Sequence, residues 1–174
     1  QIETLDIDDE YYQDVFQRVP YVRQDHARIA AHQVLVDGDE DGYLLQIFTK
    51  NSNQWRAPTL RNGDVEAFKA RRASWGKGPV FAHDSYLINL GSPDENLFRK
   101  SLSAFQEEYD RCEALGLNFL VMHPGAHVGA GEEGCLSQIA RAVKEVLDHS
   151  SKAKTKILFE VTAGQGSTVG YRFE

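Results

Sequence analysis

An α/β fold, built as about four parallel strand–helix units of a partial (β/α)8 barrel behind an N-terminal α+β segment, is what this sequence predicts. Three observations carry it. From residue 43 onward one pattern recurs: an apolar strand, a polar loop, an amphipathic helix. The strands are apolar on both faces, as strands of a parallel sheet covered by helices must be. Their ends fall near residues 49, 83, 123 and 160, close to the roughly 30-residue unit of an eight-stranded barrel. Four such units make half a barrel.

The elements follow in order. Tyr43–Phe48 is a β-rich run, and a helix is expected over Asp64–Ser74, ended by Gly76. Pro79–Ala82 is the next strand. Ser92-Pro93-Asp94-Glu95 reads as a helix start with Ser92 as the cap, Pro in the first turn and Glu three residues after the cap. That helix puts Phe98, Leu102, Phe105, Tyr109 and Cys112 on one face and stops at Leu115-Gly116. Asn118–Met122 is the third strand. Leu136, Ile139, Val143 and Leu147 stripe the following helix, and Lys156–Phe159 is the fourth strand. Residues 1–44 read differently. Asp8–Val19 and Asp25–Gln33 look like short helices, and Val34–Val36 and Tyr43–Leu45 flank an Asp/Gly-rich turn as in a hairpin. The expected division is therefore residues 1–44 and 45–174.

Charge follows the same division. Of the net charge of −7, residues 1–50 supply all, with 11 acids against 4 bases. The balanced remainder leaves room for a local basic face able to meet nucleic acid. No run of about 18 apolar residues marks a membrane span, and the acidic N-terminus is unlike a signal peptide. Cys112 and Cys135 fit no close metal or redox spacing and read as reduced, partly buried thiols of a cytoplasmic protein.

In a parallel barrel the chemistry gathers where strands run into the loops that follow them. His83, His123 and Glu160 each directly follow an apolar run, at equivalent places in three consecutive units. Two imidazoles and a carboxylate are standard zinc ligands, with a fourth position left for water. A bound zinc would acidify that water and polarise a phosphoryl oxygen. Taken singly, a His after a strand is a hydrogen-bonded structural residue and a Glu is a solvated one. His127 is read as structuring its loop, and His26, His32 and His149 as ordinary polar residues.

Several runs resemble the endonuclease IV family of zinc-dependent abasic-site endonucleases. They are Ile47-Phe48-Thr49-Lys50-Asn51 with Gln54-Trp55-Arg56-Ala57-Pro58, and His83-Asp84-Ser85-Tyr86-Leu87-Ile88-Asn89-Leu90. Arg111–Gly116, His123-Pro124-Gly125-Ala126-His127 and Glu160 before Thr162-Ala163-Gly164-Gln165-Gly166 complete the set. The resemblance covers about residues 45–174 in the family's order. It implies a TIM barrel with a trinuclear zinc cluster, in which His83 and His123 hold one Zn2+ and Glu160 bridges it to a second and serves catalysis. It also implies that Arg56 and Tyr86 contact double-stranded DNA at the abasic site and hold the flipped-out nucleotide. The family's later ligand motifs lie beyond residue 174, its first strand is absent, and Val161 stands where a polar residue is usual.

The N-terminal part is similar to another family. Asp9-Glu10-Tyr11-Tyr12 and Leu35–Lys50 resemble the C-terminal domain of 4-hydroxyphenylpyruvate dioxygenases, where Gln46 would face substrate. That family's iron ligands fall outside the stretch, which argues against dioxygenase activity. The switch within Leu45–Lys50 suggests a chimera, whether recombined, designed or misassembled. The expectation is thus an abasic-site endonuclease of base-excision repair, impaired by truncation. Its rivals are a non-catalytic zinc- and DNA-binding fragment and a dioxygenase-like module. Open sheet edges at Tyr43–Phe48 and Ile157–Phe159 predict self-association, unless residues 1–42 cover one of them.

Overall fold

The structure is a computed structural model that describes residues 30–36, 43–75 and 79–172. Within them β1 (Ala30–Val36) and β2 (Tyr43–Phe48) are followed by α1 (Asn62–Trp75), β3 (Val80–His83) and α2 (Glu95–Leu115). The chain continues with β4 (Phe119–Met122), α3 (Glu132–His149) and β5 (Lys156–Phe159). The sheet order is β1-β2-β3-β4-β5. β2 through β5 are parallel, and β1 lies antiparallel on β2. This is the expected partial barrel, with four parallel strands and a helix after each of the first three.

Three expectations need correction. Ala30–Gln33, read as the end of a short helix, is strand: Ala30 pairs with Phe48, with a register shift between Ala31 and Gln33. The pairing partner across the hairpin outweighs the weak local helix preference of an Ala-rich stretch. The Tyr43–Phe48 edge is consequently covered by β1, and among the described residues β5 is the open edge of the parallel part. The rest of that helix, the Asp8–Val19 helix and the Asp37–Gly42 turn lie outside the described residues.

The second correction is at α2, which is capped by Asp94 and not by Ser92. The Asp94 carboxylate accepts the Leu97 N–H at 2.8 Å, while Ser92 Oγ accepts the Asp94 N–H at 3.2 Å. A carboxylate one residue from the helix start meets both the free N–H groups and the helix dipole, so it takes the cap from the hydroxyl. At the other end Gly116 adopts φ 71°, and the Leu117 N–H donates to the Cys112 carbonyl at 2.9 Å, a left-handed stop that suits glycine. The third correction is at α3, where Leu136 and Leu147 are half-exposed. The buried stripe is Cys135, Ile139, Ala142, Val143 and Val146, one residue round from the stripe read off the leucines.

The core lies between sheet and helices. Leu45, Ile47, Val80, Ala82, Leu120 and Met122 are buried and meet Phe105, Tyr109, Cys112 and Leu115 of α2 with Ile139, Val143 and Val146 of α3. Tyr109 fits an apolar site because its hydroxyl donates to the Thr155 carbonyl at 2.7 Å. Both cysteines are free and buried. Cys135 packs so closely on the chain at Gly91 that a Cβ there would fall 2.2 Å from its Sγ. Among the described residues no helix is long and apolar enough to cross a membrane.

Candidate metal centre

Side chains alternate across a sheet with a period of two, and the registers pair Phe48 with His83 and His83 with Val121. Phe48, His83 and His123 therefore share one face, opposite the face that Leu45, Ile47, Ala82 and Met122 turn to the helices. Leu120 pairs with Ile157, which puts Leu158 and Glu160 on that same face. A parallel sheet aligns its strand ends, so the last residue of β3 and the first residues beyond β4 and β5 meet at one rim. His83 is the last residue of β3, as expected, while His123 and Glu160 fall one residue beyond the ends of β4 and β5.

The rim geometry is tight. His83 Nε2 lies 2.7 Å from Glu160 Oε2, and His123 Nε2 lies 3.7 Å from the same oxygen. The two imidazole centroids are 4.9 Å apart. Among the described residues His83, His123 and Glu160 form the one His/Cys/Asp/Glu group that brings three ligand atoms within 4.8 Å of one another. Ligands at zinc bond lengths of about 2.0–2.1 Å in a tetrahedron stand about 3.3 Å apart, so small side-chain rotations seat all three on one ion. His83 is 3% exposed, His123 39% and Glu160 46%, which leaves the group open on the solvent side.

The residue after His83 prepares it. His83 Nδ1–H donates to the Asp84 carbonyl at 2.8 Å and has the Asp84 carboxylate 3.3 Å away. This turns Nε2 toward Glu160, the orientation that a neighbouring oxygen imposes on metal-binding histidines. At 2.7 Å from that carboxylate, Nε2–H donates to Glu160 when the ring is protonated. Burial lowers the His83 pKa, but bonding to Asp84 and Glu160 outweighs it and lifts it to about 9. Without a metal the ring thus carries a proton on each nitrogen, and an ion held by the three residues would replace the one on Nε2. Burial also raises the Asp84 carboxyl above the usual range, partly offset by His83 and His123.

Tyr86 belongs to the same cluster. Its ring lies 5.4 Å from Phe48, 5.7 Å from His83 and 5.8 Å from His123, and it is half-exposed. Arg56 is exposed in the loop between β2 and α1. His127 accepts the Gly129 N–H on Nδ1 at 3.1 Å, structuring its own loop. The sequence reading gave no role to Asp84, Lys50, Glu108 or Arg111, all buried beneath this rim. For Glu108 the signal was present: it stands three residues from Phe105 and four from Cys112, against the apolar stripe.

Residues 43–174 match the model of the xylose isomerase-like TIM barrel family. The chain belongs to that family. Within it, the chain is similar to the probable endonuclease 4 of Chloroflexus aggregans, 47% identical over 130 residues. It is also similar to that of Geobacter sp. (strain M21), 41% identical over 152 residues. These matches cover 75% and 86% of this chain but 46% and 54% of the relatives, so the chain spans about half the length of the curated relatives it matches. The crystal structure of endonuclease IV from Thermus thermophilus superposes with a TM-score of 0.63 at 32% identity, covering 74% of this chain and 45% of that one. A D-tagatose 3-epimerase-like protein, 14% identical with a TM-score of 0.52, shares the fold.

Proposed function

We propose that this chain carries part of a zinc-dependent phosphodiesterase of DNA base-excision repair, one that cleaves 5′ to abasic sites. The observation that carries the reading is the convergence of His83, His123 and Glu160 from three consecutive strands, in a chain similar to proteins named probable endonuclease 4. Two imidazole nitrogens and a carboxylate suit zinc better than the all-oxygen cations. When bound, zinc would supply an acidified water and a Lewis acid for a phosphoryl oxygen. Glu160, between the two imidazoles, is the catalytic carboxylate of this reading, and Asp84 fixes the ring of His83. Tyr86, beside both histidines, offers a stacking face to an unpaired nucleotide, and Arg56 a fork to phosphate. The proposed setting is the cytoplasm.

Two measurements test this. Fluorescence anisotropy should show tighter binding to a duplex with one abasic analogue than to an intact one. Arg56→Ala and Tyr86→Ala should each weaken that binding by about tenfold, the scale of one stacked base or charged contact. Nicking by residues 1–174 should be slow, chelator-sensitive and absent in Glu160→Gln. One metal clamps an in-line displacement less well than two, and each tenfold in rate is about 1.4 kcal/mol. Equal affinity for both duplexes, with nicking that survives chelator, would refute the assignment.

The β5 edge bears on assembly. Leu158, Phe159 and Val161 are exposed along a strand that, among the described residues, pairs on one side only, a template for another chain. Residues 1–174 should therefore self-associate, and Phe159→Lys should shift sedimentation toward the monomer. A wild-type chain monomeric at every concentration would contradict this.

A further inference from the structure

The loop that carries Arg56 is held from beneath by α2. Arg111, buried about one turn from the C-terminal end of that helix, donates from Nε to the Thr49 carbonyl at 2.9 Å, and its Nη2 reaches the same oxygen. Its Nη1 donates to the Pro58 carbonyl at 2.9 Å. One planar guanidinium thus joins residues 49 and 58, the two ends of the segment containing Arg56. Between those ends Lys50 Nζ donates to the Trp55 carbonyl at 3.1 Å, and Ser85 Oγ donates to the Ser52 carbonyl at 2.6 Å. Glu108, three residues before Arg111 on the same side of α2, lies 3.5 Å from Lys50 Nζ and accepts the Ser85 N–H at 3.0 Å. Ser85 immediately precedes Tyr86.

The chemistry of these contacts is specific. A buried guanidinium is costly to desolvate, and packing α2 on the sheet needs none. Arg111 donates to loop main chain, where a fixed planar fork spans two carbonyls that the compact point charge of an ammonium does not match. Across 49–58 the loop closes one backbone turn of its own, Gln54 N–H to the Asn51 carbonyl at 3.3 Å. The side chains beneath it therefore set much of its shape.

We propose that Arg111 is a positioning residue for Arg56: by clamping Thr49 to Pro58 it fixes the loop that presents Arg56 on the same rim as Tyr86. This rests on the reading of Arg56 as a DNA contact. The test uses the whole 174-residue chain and the variants Arg111→Met, which keeps the apolar stem, and Arg111→Lys, which keeps the charge without the fork. Three quantities are read: hydrogen exchange over residues 49–60, zinc affinity, and affinity for a duplex with one abasic analogue. Arg111→Met should raise loop exchange about tenfold and weaken duplex binding about tenfold, the scale of one lost charged hydrogen bond, with zinc affinity unchanged. Arg111→Lys should fall between, and carries the comparison should Arg111→Met fail to fold. Adding Arg56→Ala to Arg111→Met should cost nothing more, because a displaced Arg56 has already lost its contact. Unchanged loop exchange overturns the proposal, and so does zinc affinity that falls in step with duplex affinity, since that marks general destabilisation. A wild-type chain that does not bind the abasic duplex refutes the function proposed above, and the exchange comparison then decides the clamp alone.

Discussion

Residues 1–174, dialysed against metal-free buffer after loading, will retain about one zinc per chain, and His123→Ala will retain almost none. Three ligand atoms already lie within 4.8 Å of one another, and the His83 ring is held by Asp84 with Nε2 turned to the site. Little ordering remains to be done on binding. Disturbing even an outer-shell partner of a metal ligand costs about 10–100-fold in affinity, so removing a ligand outright should cost more. Binding should also stabilise the fold. At about 100 times the dissociation constant the gain is about 2.7 kcal/mol, or about 5–10 °C in Tm for a chain of this size. Elemental analysis and thermal unfolding with and without zinc read both effects. Two or three zincs surviving dialysis would mean that residues beyond the triad are recruited, and an unchanged stoichiometry in His123→Ala would remove that residue from the site.

The metal-free chain will lose stability as pH rises from about 4.5 to above 7. Glu108 is fully buried, and that burial, with Asp84 nearby, lifts its pKa to about 7 despite Lys50 and the Ser85 N–H. The ordinary value is 4.5, so between the two the folded chain binds a proton that the unfolded chain has released. Stability from this group is complete below pH 4.5 and lost as pH passes 7, with a full swing of about 3 kcal/mol. Asp84 is raised by burial and shifts stability in the same sense. His83, raised to about 9, extends the decline, its contribution being present below 6.5 and lost through 9. Glu113 is shifted down, despite some burial, by bonds from Thr155 and Lys154, and it acts in acid below this window. Urea unfolding with chelator at pH 5, 6, 7 and 8 should show the fall, and Glu108→Gln should flatten its lower half. Stability that climbs over this range would show the buried carboxyl to be ionised throughout.

The frame and the triad were legible because each rests on local pattern. Lys156–Phe159 forms the strand its apolar run announces, and Leu115-Gly116 ends α2 because a left-handed position there needs glycine. His83, His123 and Glu160 could be grouped because strand ends converge in any parallel sheet. What stayed hidden depends on contacts far apart in sequence. Ala30–Gln33 becomes strand only because β2 offers it a partner. Asp94 takes the cap from Ser92 through a competition between two acceptors that sequence alone leaves nearly even. Arg111 reaches carbonyls 62 and 53 residues away, and nothing near it in sequence announces them.

The contact between Cys135 and Gly91 makes the thiol a reporter. Its sulfur rests where a Cβ on Gly91 would stand, with Ile139 alongside, and Asn89 ties the same stretch to Ala126 through two hydrogen bonds at 3.0 Å. Cys135 is buried, and lifting the Asn89–Ser92 segment off α3 would bare its sulfur to reagent. The rate at which Cys135 is alkylated in the native chain therefore measures how often the loops after β3 and β4 part.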